Sequence, residues 1–435
     1  MTAGALEDVW RRESPHVFGA LLRRHDDLGD CEDAAQDAME AAARQWESDG
    51  VPEDPRAWLI RVASRRLIDR TRADRARAAR EEAVAVAQSA DAFTAPAPDD
   101  ERPDAADDGL LLLLLCCHPS LSRASQVALT LRAVSGLGTA EIAAAFLVPE
   151  RTMAQRLSRA RATLRSAGAR FQLPAPSALP DRVAAVLDVL HLVFSEGYTR
   201  SAGDTLLDTA LTREAIRLTR ELSRRIPTHD EVAGALALML LTRARETART
   251  DGAGDLVPLA RQDRSRWDAE LIAEGTAILE RVLPRGPVGR FQLQAAIAAV
   301  HAEAPTWEAT DWAQICTLYA MLEHAAPGPA VTLNRAVAVG MAHGTERGLP
   351  IVEELLADPA MRRHHRTHAV RAHVLEMAGD RDEARRAYAR AARLNASLPE
   401  QRYLNARASR IAGQPTRSTA SPEQNRAMRA ARNEN

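Results

Sequence analysis

One stretch of this sequence, GTAEIAAAFLVPERTMAQRLSRAR at residues 138–161, limits the fold of its surroundings more than any other. It contains two apolar patterns with helical spacing, separated by Leu147-Val148-Pro149. A proline rarely continues a helix, so the first helix is expected to end before Pro149. The pattern predicts a first helix capped by Thr139 and a second helix from about Glu150 to Arg165. Two short helices joined by so tight a turn are typical of a helix-turn-helix unit.

The second predicted helix combines an apolar stripe with a basic polar face. The stripe consists of Met153, Leu157, Ala160 and Leu164. The polar face carries side chains that can contact base edges in the major groove, namely Arg151, Thr152, Gln155, Arg156 and Arg159. Residues 150–170 hold six arginines and one glutamate, which suits contact with DNA phosphates. The alternative interpretation is an arginine-rich amphipathic helix whose polar face is simply solvated.

The rest of the chain is predicted to be helical as well, which makes the fold all-α. Alanine, leucine and arginine dominate and aromatic residues are only 4% of the chain, and these common residues are strong helix formers. A length of 435 residues fits about two to four domains. The four cysteines are too few and too scattered for a disulfide framework.

Composition changes along the chain predict its domain boundaries. Proline-containing stretches low in periodicity read as linkers, and a polar C-terminus reads as a disordered tail. The predicted segments are a helical domain at 1–82, a linker at 83–108, the helix-turn-helix domain at 109–166, a linker at 167–180, a helical extension at 181–412 and a tail at 413–435. Within the extension, residues 379–394 resemble the second half of a tetratricopeptide-type helix pair; the alternative is a helical domain without true repeats.

The first domain contains an acidic helix followed by a basic one. Residues 27–46 begin with a cluster of carboxylates that would repel DNA, so this helix is expected to contact a basic protein surface. Residues 56–80 hold nine arginines against two aspartates, which favours DNA as the partner. Trp58, Leu59, Val62, Leu67 and Ile68 are expected to pack inward.

This order of an acidic helix, a basic helix, a linker and a basic helix-turn-helix resembles bacterial sigma factors. LGDCEDAAQDAMEAAARQW and PRAWLIRVASRRLIDRTR are similar to region 2 of the extracytoplasmic-function (ECF) sigma factors, and GTAEIAAAFLVPERTMAQRLSRARATLR is similar to their region 4. Further motifs, such as GDLVPLARQDRSRWDAELIAEG, resemble the subgroup with a long C-terminal tetratricopeptide-like helical extension. The resemblance covers residues 6 to about 410.

The resemblance implies a binding partner for each of these helical segments. RNA polymerase core would be contacted through its β′ clamp and β flap, and the residues implied at the clamp are Asp30, Glu32, Asp33, Gln36 and Asp37. Promoter DNA at the −10 element would be held by Arg56, Arg61, Arg65, Arg66 and Arg70, with a flipped base in the loop from Glu47 to Pro55. The −35 element would be contacted by Arg151, Thr152, Gln155, Arg156 and Arg159.

The most polar motif of the extension, QDRSRWD at residues 262–268, has two interpretations. It either fixes helix packing through caps and ion pairs, or forms a regulatory groove for a small effector, a partner helix or the sigma domains. The groove residues would be Asp263, Arg264, Arg266, Trp267 and Asp268.

Neither catalytic nor metal chemistry is expected. The chain shows no nucleophile and base pair, no HExxH and no phosphate-binding glycine loop, so an enzyme is not expected. No metal site and no cofactor are predicted, since the adjacent Cys116 and Cys117 do not supply CxxC geometry. The absence of a signal peptide or a membrane-length apolar run predicts a cytoplasmic protein without membrane contact.

Three functions of different classes remain open on the sequence. The first is an ECF-type sigma factor that directs initiation at −35/−10 promoters and is regulated by its extension, through possible intramolecular contact with the sigma domains. The second is a helix-turn-helix regulator with an effector- or partner-binding helical domain that is not a sigma subunit. The third is a helical scaffold whose basic helices bind acidic partners.

Overall fold

The computed structural model describes residues 3–82 and 108–413. Helices dominate this part of the chain, which confirms the all-α prediction. The described residues divide into two compact units, one within 1–201, 207–247 and 265–302, the other within 202–206, 248–264 and 303–413. The linker predicted at 83–108 lies outside the described residues except for Asp108, and so does the predicted tail beyond Gly413.

The first unit begins with three helices. They are α1 (Ala3–Leu22), α2 (Leu28–Asp49) and α3 (Pro55–Glu82). The Asp27 carboxylate caps α2 by accepting hydrogen bonds from the backbone N–H groups of Gly29 and Asp30 at 2.7 and 3.0 Å. An edge-to-face pair of Trp46 and Trp58, with ring centroids 5.2 Å apart, joins the end of α2 to the start of α3.

The helix-turn-helix is confirmed in the next part of the first unit. The elements are α4 (Asp108–Cys116), α5 (Arg123–Leu129), a π-helical segment (Thr130–Val134), α6 (Thr139–Ala145) and α7 (Glu150–Ser166). The predicted cap at Thr139 is wrong. The N-cap is Gly138, because the Glu141 carboxylate reaches back to accept a hydrogen bond from the Gly138 N–H at 2.7 Å. Leu147 turns the chain between the helices with a φ of 51°.

Five helices from the extension complete the first unit. They are α8 (Leu179–Tyr198), α9 (Thr209–Arg225), α10 (Asp230–Arg243), α11 (Ala269–Val282) and α12 (Arg290–Glu303). Of their residues, only Glu303, the last residue of the fifth helix, belongs to the second unit. Their apolar residues share one hydrophobic core with α1–α7, in which Leu113, Leu190 and Met239 are all buried. The extension therefore begins as part of the same packed body that contains the helix-turn-helix.

The second unit is built from helical hairpins. Its helices are α13 (Trp312–Ala325), α14 (Pro329–His343), α15 (Thr345–Leu355), α16 (Pro359–Arg363), α17 (His365–Ala378), α18 (Arg381–Leu394) and α19 (Leu398–Gly413). Two short strands, β1 (Ala202–Gly203) and β2 (Ala396–Ser397), pair in parallel. Gly379 ends α17 at a φ of 85°, and Ala384, Tyr388 and Ala391 of α18 are buried, as their spacing predicted.

Short 3-10 turns occur in the loops of both units. They span Glu246–Ala248, Leu259–Arg261, Arg264–Arg266 and Leu283–Arg285. Within the described ranges, no helix has the length and apolar character needed to cross a membrane.

Candidate nucleic-acid interface

Helix α7 presents the predicted base-contacting side chains on its outer face. The stripe of Met153, Leu157, Ala160 and Leu164 is buried, as predicted. Arg151, Thr152, Gln155 and Arg159 are exposed and Arg156 is half-buried. Since residues four apart on a helix lie above one another, Arg151, Gln155 and Arg159 form one row. A row of exposed guanidinium and amide groups on one helix face can donate hydrogen bonds to base edges and phosphates.

Some arginines of the basic helix α3 are exposed, and others form ion pairs with carboxylates of the same chain. Arg61, Arg65 and Arg66 are exposed. Arg56, in contrast, donates to the Glu13 carboxylate at 2.7 Å. Arg70 donates to Asp33 at 2.8 Å and to Asp37 at 3.0 Å. Burial alone would lower the pKa of Arg70, but these two carboxylates outweigh it and raise the pKa.

The apolar face of α3 and the following loop each required a correction. Leu59 and Leu67 are buried as predicted, whereas Ile68 is 39% exposed, so its assignment to the core is wrong. Ile68 directly follows a buried position, and adjacent helical residues point in different directions. The loop predicted from Glu47 to Pro55 spans only residues 50–54, because Gly50 ends α2 at a φ of 81° and Pro55 begins α3.

The polar residues predicted on α2 are all engaged within the first unit. Asp30 lies 2.8 Å from the His25 imidazole, and Asp33 and Asp37 hold Arg70. Glu32 is buried, with Arg132 at 2.5 Å and Arg161 at 2.7 Å. Gln36 accepts a hydrogen bond from Arg132 at 3.3 Å. The carboxylates of α2 thus face basic side chains, and for Glu32 those side chains come from the helix-turn-helix part of the chain.

Helix α8 is attached to the helix-turn-helix part through polar contacts. Arg123 of α5 donates to the Ala185 carbonyl at 3.0 Å and to the Asp188 carboxylate at 2.7 Å. Arg182 donates to the Leu114 carbonyl at 2.8 Å. Just after α8, Arg200 donates to the Ala144 carbonyl at 2.9 Å. Ala144 lies in the last turn of α6, and its carbonyl also accepts from the Leu147 N–H at 3.2 Å, so Arg200 adds a second donor at the end of that helix.

The residues predicted to form a regulatory groove make packing contacts. In the first unit, Asp268 caps α11 by accepting hydrogen bonds from Glu270 and Leu271, and Trp267 is buried. Arg266 donates to the Thr247 carbonyl there. Arg264 and Asp263 belong to the second unit, in which Arg264 donates to the Ala304 carbonyl at 2.6 Å. A cleft of the second unit is lined by other residues, among them His365, Asn395, Glu400 and Tyr403.

The cysteines near the helix-turn-helix lie in the core. Cys116 and Cys117 are fully buried, and burial raises the pKa of the Cys117 thiol to about 12. Buried neutral thiols are poor metal ligands, since the thiolate is the binding form. Within the described residues, no cluster of three or more His, Cys, Asp or Glu is placed to hold a metal ion.

The side chains that join the three parts of the first unit were not predicted from the sequence. These residues are Asp27, Arg132, Arg161 and Arg165 between α2 and the helix-turn-helix, and Arg123, Asp188 and Arg200 between the helix-turn-helix and α8. The signal present in the sequence was charge complementarity between an acidic α2 and a basic α7. Local periodicity does not indicate which basic segment a given carboxylate meets.

Comparison with known proteins agrees with this arrangement. Residues 9–77 match the sigma-70 region 2 family, residues 111–164 match sigma-70 region 4, and residues 182–283 match a family of unknown function, DUF6596. An uncharacterized protein of Rhizobium meliloti (strain 1021) is 39% identical over 416 residues, which cover 95% of this chain and 96% of that protein.

The matches to sigma-70 regions 2 and 4 support a sigma-factor-like role in transcription initiation for this helix-turn-helix protein. More specifically, the chain belongs to the sigma-70 family, as an ECF-like sigma factor with a C-terminal extension. We refer below to α1–α3 as region 2, to α4–α7 as region 4, and to α8–α12 as the proximal extension.

Proposed function

We propose that this protein binds RNA polymerase core as an ECF-type sigma factor and directs initiation at specific promoters with −35 and −10 elements. The observation that carries the proposal is the exposed row of Arg151, Gln155 and Arg159 on α7, in a chain that also matches region 2. A helix-turn-helix regulator that never joins polymerase has no need of region 2. The match to region 2 therefore favours the sigma function over that alternative.

Each surface then has a role in the proposal. The polar residues of α2 bind the polymerase β′ clamp, region 4 lies on the β flap, and the exposed arginines of α3 hold the −10 strand. The row on α7 reads the −35 element from the major groove. The protein performs no catalysis of its own and acts in the cytoplasm, where polymerase and promoter DNA are found.

The C-terminal helical domain, which we interpret as tetratricopeptide-like, regulates this activity. Support comes from a contact between the proximal extension and region 4, in which Asp188 of α8 pairs with Arg123 of α5. Asp188 also pairs with Arg290 of α12, within the proximal extension. Arg200 also donates a hydrogen bond to the Ala144 carbonyl at the end of α6, the first helix of the helix-turn-helix. We infer that the proximal extension assists region 4 by holding α6 and α7 in position for DNA.

Run-off transcription with bacterial core polymerase and the full-length protein tests the sigma function. Wild type is expected to start transcripts at a defined site, and Arg151→Ala/Gln155→Ala is expected to lower their yield about tenfold or more, since each specific base contact contributes about 1–3 kcal/mol. Ser158→Ala, an exposed α7 change outside the predicted contacts, is the control. Failure of the wild type to bind core in a pull-down would exclude the sigma function.

The same assay tests the role of the extension. Asp188→Asn removes the charge that pairs with Arg123 and Arg290, and we expect it to lower transcription by roughly threefold or more while core binding is kept, because a broken charged hydrogen bond costs about 1.5–3 kcal/mol. Asp181→Asn, an exposed change in the first turn of the same helix, is the matched control. Equal transcription by both variants and wild type would contradict the assisting role.

A further inference from the structure

Glu32 of region 2 is held by two arginines of region 4. One carboxylate oxygen accepts from Arg132 Nε at 2.5 Å, and the other accepts from Arg161 Nη1 at 2.7 Å. The side chain of Glu32 is only 8% exposed, and those of Arg132 and Arg161 are 17% and 23% exposed. Both acceptor atoms of a carboxylate predicted to bind polymerase are therefore occupied within the chain.

Arg132 is held in place for this contact. It lies in the π-helical segment Thr130–Val134, where the Ser135 N–H donates to the Thr130 carbonyl five residues back. Such segments are rare and occur frequently at functional positions. The guanidinium of Arg132 also donates to the Leu137 carbonyl at 3.2 Å and to Gln36 of α2 at 3.3 Å. Arg132 thus contacts two of the five α2 residues predicted to bind polymerase.

Two further ion pairs flank this contact. At the start of α2, Asp27 pairs with Arg165 from the last turn of α7. Burial by itself would raise the pKa of Asp27, but Arg165 and the backbone N–H groups of Asp30 and Gly29 lower it. Arg11 of α1 lies 2.9 Å from Glu141 of α6. Region 4 also meets region 2 through the pair of Arg23, directly after α1, with Asp108 in α4. We call the four ion pairs on the α2 and α6 side, Glu32–Arg132, Glu32–Arg161, Asp27–Arg165 and Arg11–Glu141, the region 2–region 4 clasp.

We propose that the clasp is an internal competitor of RNA polymerase, in which Arg132 and Arg161 occupy the α2 carboxylate that polymerase must bind. The inference rests on the proposed sigma function. With only 8% of its side chain exposed and an arginine on each oxygen, Glu32 is not accessible to a basic partner, so polymerase binds only the fraction of molecules whose clasp is open. The apparent affinity for core is then the intrinsic affinity reduced by that fraction.

Variants on the region 4 side test the clasp without altering α2. Arg161→Gln/Arg165→Gln removes two of its cations and leaves the predicted −35 residues in place. Binding of fluorescently labelled full-length protein to core polymerase, titrated without DNA, is expected to tighten about five- to tenfold in this variant. The matched control is Arg170→Gln/Arg281→Gln, which removes the same charge at two exposed positions outside the clasp and is expected to bind like wild type.

The outcomes separate the inference from the proposed function. Equal or weaker core binding by Arg161→Gln/Arg165→Gln, with wild type binding normally, would overturn the clasp and leave the sigma function intact. Absence of core binding in every variant would overturn the sigma function, and the clasp with it. Circular dichroism of the variant, with a helical signal like that of wild type, ensures that a change in affinity reflects opening and not unfolding.

Discussion

Helices α2 and α7 are both expected to contact other molecules, yet in the free protein their polar side chains differ in whether they are paired with other residues of the chain. On α7, Arg151, Thr152, Gln155 and Arg159 are exposed to solvent. On α2, the residues predicted to bind polymerase each have a partner inside the first unit, and Glu32 is buried under two arginines. Asp30, Asp33 and Gln36 are nevertheless exposed. The two faces therefore differ chiefly at Glu32, whose proposed contact with polymerase requires that its two arginines first release it.

Desolvation explains why the two faces differ. The exposed arginines of α7 keep their hydration and need no protein partner. A carboxylate as buried as Glu32 loses its hydration at a cost of several kcal/mol, which is offset only when it is paired and hydrogen-bonded. One partner of Glu32, Arg161, comes from α7 itself, and the other, Arg132, comes from the π-helical segment. Arg161 of α7 thus contacts α2, whereas Arg151 and Arg159 of the same helix are exposed to solvent.

Breaking the Glu32 contact is expected to have the largest effect on this difference. Glu32→Gln leaves Arg132 and Arg161 without a counter-charge, and the free energy of unfolding should fall by about 3 kcal/mol. Urea denaturation measures it. Asp33→Asn, whose side chain is 55% exposed, is the comparison and should cost less than about 1 kcal/mol. An equal fall in the free energy of unfolding in the two variants would mean that the buried Glu32 contacts stabilise the protein no more than the exposed Asp33 contact.

Changes on the exposed face of α7 should affect binding but not folding. Arg151→Ala is expected to weaken discrimination between the correct and an altered −35 sequence by about 1–3 kcal/mol. Its free energy of unfolding should stay within about 0.5 kcal/mol of wild type, because the side chain is exposed. Competition binding of polymerase holoenzyme to both DNA sequences measures the first quantity. A loss of stability with unchanged discrimination would contradict the role of this face.

The pH dependence of the clasp follows from Asp27. Its pKa in the folded protein is lowered from 3.8, so the stabilisation is present above that value and is lost as the pH falls below it. The contribution of the Asp27–Arg165 pair to stability should therefore be constant between about pH 5 and 8. Asp27→Asn keeps an N-cap side chain for α2 but loses the charge opposite Arg165, and should cost under about 1 kcal/mol, because Arg165 is 61% exposed. A difference in the free energy of unfolding between wild type and Asp27→Asn that changes between about pH 8 and 5 would contradict this assignment.

The smallest effect is expected in the turn before α7. Leu147 has a φ of 51°, a left-handed conformation that costs a residue with a Cβ about 1–2 kcal/mol. Leu147 is also 46% exposed, so Leu147→Gly should change stability by less than about 1 kcal/mol in either direction. Leu147→Ile should destabilise by more than Leu147→Gly, since β-branched residues tolerate positive φ poorly. Thermal denaturation of both variants checks this order of stability. A Leu147→Ile variant more stable than Leu147→Gly would contradict a left-handed conformation at this position.

The local features of this structure were predictable from sequence, and the long-range pairings were not. The buried stripe of α7 and the break at Leu147 followed from helical periodicity and from Pro149, both of which act within a few residues. The prediction that Ile68 is buried was wrong because neighbouring positions on a helix point in different directions. The predicted cap at Thr139 was wrong because the N-cap is Gly138, whose N–H donates to the Glu141 side chain. The pairing of Glu32 with Arg132 and Arg161 depends on how two regions separated by about a hundred residues pack.

The most direct measurement of the central claim is the distance between the start of α2 and the end of α7. Spin labels at Asp26→Cys and Ser166→Cys, both exposed and next to the Asp27–Arg165 pair, report it in a Cys316→Ser background that leaves only buried native cysteines. Free protein should show a single short distance that lengthens when core polymerase is added. A long, broad distribution in the free protein, or a short distance that persists in the polymerase complex, would contradict the account.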